Sequence, residues 1–105
     1  MVFRIKFTEQ AAEDITDIVS YISDELHSPG AARRFFNEVN KKLDKISGNP
    51  FMYPLSRIDK LRAKGYRAAA IGNYLLFYIA DEADTVAYIA RIVYGSRDLE
   101  LLSEE

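Results

Sequence analysis

Residues 66–80 read YRAAAIGNYLLFYIA, and this stretch decides the fold. Gly72-Asn73 is a two-residue hairpin signal between apolar runs. The run after it, Tyr74 to Ala80, is apolar on both of its faces, which marks a central strand. The run before it is predicted as a strand from about Ala63 to Ile71. Downstream, Asp81-Glu82-Ala83-Asp84 makes a turn, and Thr85 to Tyr94 is predicted as the next strand, ended by Gly95. Arg97 to Leu102 reads as a short terminal helix.

Working upstream, residues 51–61 have no clean period and read as a long loop, a kind more often functional than idle. Ser47-Gly48-Asn49-Pro50 stops a helix whose apolar side is Ala31, Ala32, Phe35, Phe36, Val39, Leu43 and Ile46. Ser28 suits its N-cap and Pro29 its first position, and Glu38 with Lys42 makes an i,i+4 pair. Before it, Ala11, Ala12, Ile15, Ile18, Val19, Ile22 and Leu26 recur at spacings of three and four. That spacing predicts an amphipathic helix capped by Thr8, with its acids on the outer face. Residues 2–7 alternate Val2, Arg4 and Lys6 against Phe3, Ile5 and Phe7, a strand with one face buried.

The order is β-α-α-β-β-β. An N-terminal strand, an antiparallel helix hairpin and a three-stranded antiparallel meander make an α+β domain, with both helices on one face of the sheet. At 105 residues and 12.0 kDa the chain has room for one such domain, spanning 1–105, which buries about 65% of the surface its unfolded chain exposes.

Composition narrows the function. Apolar residues are 49% and charged residues 29%, so disordered and coiled-coil classes are excluded. There is no cysteine, hence no disulfide framework and no thiolate site, and a single histidine, His27, cannot build a His-based metal cluster. The longest apolar run, Tyr74 to Ala80, is far short of the roughly 20 residues of a membrane span, and the N-terminus lacks the long apolar core of a signal peptide. The expected compartment is the cytoplasm. Net charge is −2 and the pI about 5.4, which does not advertise a nucleic-acid binder. The distribution is uneven. Residues 9–25 carry six acids and no base, whereas Arg57, Lys60, Arg62, Lys64 and Arg67 meet only Asp59.

The order of elements, the loop with Asn49-Pro50, then Gly65-Tyr66-Arg67, Gly72-Asn73-Tyr74-Leu75-Leu76-Phe77-Tyr78 and the closing Arg91-Ile92-Val93-Tyr94-Gly95-Ser96-Arg97-Asp98 resemble the RelE/ParE family of bacterial type II toxin–antitoxin toxins. The resemblance covers nearly the whole chain. It implies a cytoplasmic, growth-inhibiting toxin of a plasmid-stabilisation type of module, with no metal or cofactor and a cognate antitoxin whose disordered tail folds as it binds. RelE-like members are ribosome-dependent mRNA endoribonucleases; ParE-like members poison DNA gyrase and are not hydrolases.

Metal-free RNA cleavage needs a group to activate the 2′-hydroxyl, one to protonate the leaving oxygen, and cations on the developing charge. In the RelE-like pattern an arginine follows the aromatic that opens the third strand, and a Tyr or His stands near the C-terminus. Here Leu75 follows Tyr74, and the terminal position falls near Ser103. Arg97 matches the late arginine, and Lys60, Arg62 and Lys64 stand for the pattern's basic strand residues. Losing one such donor typically costs about 10²–10³ in rate. The resemblance is therefore closer to ParE, implying inhibition of DNA gyrase. The alternatives are an mRNA endoribonuclease with ribosome and message as partners, using Arg62, Lys64 and Arg97, and an inactive member kept as a binding module. Target-binding candidates are Arg57, Lys60, Arg62, Arg67, Tyr94 and Arg97. Each has a plainer reading as well. The basic run is solvated charge that guards an edge strand. Tyr66, Tyr74, Tyr78, Tyr88 and Tyr94 are amphipathic sheet residues with hydroxyls at the rim. Arg91 snorkels from a half-buried face.

Overall fold

The computed structural model describes residues 2–95. The elements are β1 (Arg4–Phe7), α1 (Glu9–Ser20), a π-helical turn (Tyr21–Glu25), α2 (Pro29–Gly48), α3 (Asp59–Ala63), β2 (Arg67–Ile71), β3 (Tyr74–Asp81) and β4 (Val86–Tyr94). The predicted α+β architecture is observed. The sheet runs β1-β4-β3-β2, antiparallel except that β1 lies parallel to β4, so β3 is central as its two apolar faces require. The predicted terminal helix lies outside the described residues.

The hairpin at residues 72–73 forms as read. Gly72 takes φ +57°, the left-handed value a two-residue strand reversal needs, and Ile71 pairs with Tyr74. On one sheet face Ala69, Ile71, Leu76, Tyr78, Ala87, Ile89 and Ile92 pack with Ala11, Ile22, Ala32, Phe35, Val39 and Ile46 of the helical layer. The opposite face is not bare. Phe77 and Val93 are buried there under Ile58 and Leu61, with Ala68 and Leu75 beside them. The aperiodic loop thus contains a short helix, α3, that the sequence pattern did not reveal, since one helical turn and a half is too short to display a period.

Three other expectations are corrected. The first helix does not continue as α-helix to Leu26: it widens at Tyr21–Glu25, and Leu26 N–H donates to the Tyr21 carbonyl at 3.1 Å. The wider turn rotates Leu26 off the apolar face, leaving it 55% exposed although Ile22 is buried. Ser28 does not cap α2 with its side chain; its carbonyl accepts from Ala32 instead. Glu38 pairs with Lys41 at 3.4 Å, while the Lys42 ammonium sits 5.2 Å from the centre of the Tyr53 ring.

The largest departure concerns Asp14. Read as part of a solvated acidic face, it is buried. β1 stops at Phe7, opposite Ile89, so the outer edge of β4 would be unpaired beyond that point. The start of α1 takes over. Thr8 caps the helix by accepting from Ala11 N–H at 3.1 Å, and it donates its own N–H to Ile89 O at 3.0 Å and its hydroxyl to Ala90 O at 2.9 Å. Asp14 Oδ2 then accepts from Ile92 N–H at 2.9 Å and from Arg91 Nε at 2.9 Å, and Gln10 Nε2 donates to Oδ1 at 3.2 Å. A bulge completes the arrangement. Phe77 pairs with Arg91 but Tyr78 with Ile89, so Ala90 is the extra residue, which is how Ile89 and Ile92 both reach the helical core.

Removing the carboxylate takes the acceptor from the Ile92 amide N–H and the Asp14 contact from the part-buried Arg91 guanidinium. Asp14→Ala is expected to cost about 2–4 kcal/mol in urea unfolding, toward the lower end because the Arg91 side chain keeps 29% exposure. Glu13→Ala, one residue away and exposed, is expected to stay within about 0.5 kcal/mol.

Tyr78 supplies a pH signature. Its ring is fully buried and its hydroxyl donates to the Pro50 carbonyl. Burial pushes its ionisation up to about 12, with the Arg67 charge pulling the other way. The folded chain holds this proton where the unfolded chain, at 10.0, has lost it. Its contribution is therefore intact below about pH 10 and disappears between about 10 and 12. Tyr78→Phe is expected to cost about 1–2 kcal/mol at neutral pH and to flatten that alkaline decline, checked by urea midpoints across the range.

Candidate functional site

On the sheet face opposite α1 and α2, a cleft of about 410 Å³ opens between α3 and the start of α1. Phe77, Ala90 and Arg91 form its floor, Thr8 and Gln10 one wall, and Lys60, Leu61, Lys64 and Tyr66 the other. The bulge at Ala90 and the Asp14 contact set the floor, since they fix where the Arg91 guanidinium lies. Lys60 and Lys64 come together because they are one helical turn apart on α3 and its C-cap. Gly65 at φ +91° then turns the chain into Tyr66 and β2.

The predicted basic residues are only partly gathered here. Lys60, Arg62 and Lys64 were expected on the second strand; β2 begins at Arg67, and all three lie on α3 or its cap. Their spacing of two fits a strand, and α3 is too short to show a competing helical period. Lys60 and Lys64 line the cleft, whereas Arg62 is exposed and bonds to Asp59. Arg57 is exposed just before α3. Arg67 is turned inward: Nη1 donates to Tyr53 O at 2.7 Å, and the guanidinium lies 5.2 Å from the Phe51 ring centre. Tyr94 stands on the other sheet face, edge-on to Tyr74 at 5.5 Å, which in turn meets Phe35 at 5.1 Å. Burial, with Tyr21 and Tyr94 adding to it, raises the Tyr74 ionisation. Arg97 lies outside the described residues.

Chemically the cleft offers cations. Among the described lining residues none is a histidine or a carboxylate, and the only ring hydroxyl is that of Tyr66. Leu75, where the RelE-like pattern has an arginine, packs beside Phe77 and Val93. Such a lining can hold an anion. Among the described residues, no group of three or more His, Cys, Asp and Glu side chains could hold a metal ion, and no helix is long and apolar enough to cross a membrane. Arg91 and Asp14 were the functional residues least visible in sequence. The signal for Asp14 was its place three residues after Ala11 and four before Ile18, within the buried stripe.

A family profile described as the ParE toxin of the type II toxin–antitoxin system parDE matches residues 5–99. The chain belongs to this ParE toxin family. Its fold is similar to that in the chromosomal ParDE system of P. aeruginosa, with a TM-score of 0.69 and 16% identity over 89% of this chain and 96% of that one. It is also similar to E. coli toxin RelE, in an arginine-to-alanine double mutant in the free state: TM-score 0.63, 14% identity, 99% of this chain and 96% of that one. A RelBE toxin–antitoxin complex of Mycobacterium tuberculosis gives a TM-score of 0.61 and 20% identity over 90% and 99% of the two chains. No curated protein matches the chain significantly in sequence.

Arg67 fastens the loop after α2 to β2, where Ala68 N–H bonds Pro54 O and Ser56 N–H bonds Tyr66 O. Arg67→Ala is expected to cost about 1–2 kcal/mol and to lower hydrogen-exchange protection selectively at Ser56 and Ala68.

Proposed function

We propose that this protein is a ParE-like toxin that binds DNA gyrase in the cytoplasm and blocks it, and that a cognate antitoxin neutralises it. The observation that carries this reading is the ParE profile across residues 5–99. The lining of the cleft supports it: Lys60, Lys64 and Arg91 suit binding of an anionic group. Arg57, Lys60 and Arg62 are exposed around α3, a cationic patch suited to a protein target. A toxin of this kind works by occupying its target, not by turning over a substrate.

The test is a supercoiling reaction with purified gyrase and the full chain. Inhibition with accumulation of cleaved, protein-linked DNA is expected, and undiminished supercoiling at excess toxin overturns the reading. Arg57→Glu with Arg62→Glu is expected to weaken inhibition at least tenfold without changing thermal stability, since both side chains are exposed.

Ribosome-dependent mRNA cleavage is the second reading, favoured by the meeting of Lys60, Lys64 and Arg91 in one cleft. Cutting of ribosome-bound message by the purified chain would establish it in place of the first.

A further inference from the structure

We infer that the outward face of the α1–α2 hairpin is a self-association surface, on which two copies of this chain pair hairpin to hairpin about a two-fold axis parallel to the helices. The proposal stands apart from the choice of target, because it uses the helical layer and not the sheet face that carries α3.

Charge argues first. Residues 9–25 hold six acids and no base, whereas α2 holds five bases against Glu38 and Asp44. Glu9, Glu13 and Asp17 stand four residues apart on α1, and all three are exposed. Arg34, Lys41 and Lys45 are exposed on α2. Among the described residues those three acids have no ion-pair partner, and neither have Arg34 and Lys45. Lys41 meets Glu38 at 3.4 Å, in an exposed pair that solvent screens. The hairpin therefore presents an acidic helix beside a basic one, with no ion pair joining the two.

Register argues next. Glu9 and Lys45 each lie 18 residues from His27 at the turn, and Glu13 and Lys41 each lie 14. Helices that rise equally per residue carry such pairs at matching heights. Arg34 lies within about one helical turn of the height of Asp17. A two-fold axis parallel to the helices keeps every height and lays α1 of one copy over α2 of the other. Glu9 then meets Lys45, Glu13 meets Lys41 and Asp17 meets Arg34, each pairing occurring twice. An axis across the helices would lay α1 on α1, acid on acid, and the same charges reject it.

Apolar surface completes the contact. Phe36, next to the buried Phe35, keeps 48% exposure, and Ala12 is exposed on α1. A hairpin about 30 Å long and about 20 Å wide presents roughly 600 Å² per copy, below the roughly 800 Å² of a standard interface. The pairing is therefore reversible and sensitive to salt. Both sheets face outward in it, so each copy keeps α3 accessible and the pair offers two target-facing surfaces.

Sedimentation velocity of the full chain, from low micromolar to near-millimolar concentration, is expected to show a monomer–dimer equilibrium. High salt is expected to weaken it at least tenfold. Glu13→Lys with Asp17→Lys, and separately Arg34→Glu with Lys41→Glu, are each expected to stay monomeric. Mixed in equal amounts the two variants are expected to dimerise again, since each supplies the charge that the other's hairpin now lacks. A nitroxide attached through Asn37→Cys, in a chain with no other cysteine, is expected to broaden amides around Asp17 of an isotope-labelled wild-type copy and to spare those of β2. A wild-type chain that is monomeric throughout, reversed variants that dimerise alone or fail to recombine, or broadening centred outside the hairpin overturns the proposal.

Discussion

One buried carboxylate organises this molecule. β1 is too short to pair with the whole of β4, and an unpaired central-strand edge inside a small domain is costly. Asp14 meets that demand from α1, accepting from Ile92 N–H and holding Arg91 across the sheet edge. The same contact anchors α1 against β4 and keeps the bulge at Ala90, so the helical core receives both Ile89 and Ile92. The floor of the cleft on the far face is set by that bulge as well. Fold and candidate site thus share a single electrostatic anchor, and neither could be altered there without disturbing the other.

Much of the fold was legible because its signals are local. The Gly72-Asn73 turn, the doubly apolar Tyr74–Ala80 run and the Thr8 cap each state their own structure in adjacent residues. What escaped depends on partners far along the chain. Asp14 lies 78 residues from the amide it accepts, and nothing near it announces that strand edge. α3 is too brief to show a period, so the spacing of two in Lys60, Arg62 and Lys64 fitted a strand. Leu26 left the core through a π-helical turn, a device that an apolar spacing of three and four cannot reveal. The site was therefore half visible: its lysines were named, but the element carrying them, and the arginine and tyrosine that meet them, required the tertiary arrangement.

The toxins with which this chain shares its fold include both ParE and RelE types at 14–20% identity, so backbone similarity alone does not divide them. The division lies in side chains. The cleft presents lysines and a guanidinium held by a carboxylate, and Leu75, packed beside Phe77 and Val93, stands where the RelE-like pattern has an arginine.

The most direct measurement is pulse labelling of DNA and protein synthesis in bacteria in the first minutes after the chain is induced without a partner. This account predicts that DNA synthesis falls first, with protein synthesis following later. A prompt fall in protein synthesis, with DNA synthesis initially intact, would contradict it and place the ribosome in the position here given to gyrase.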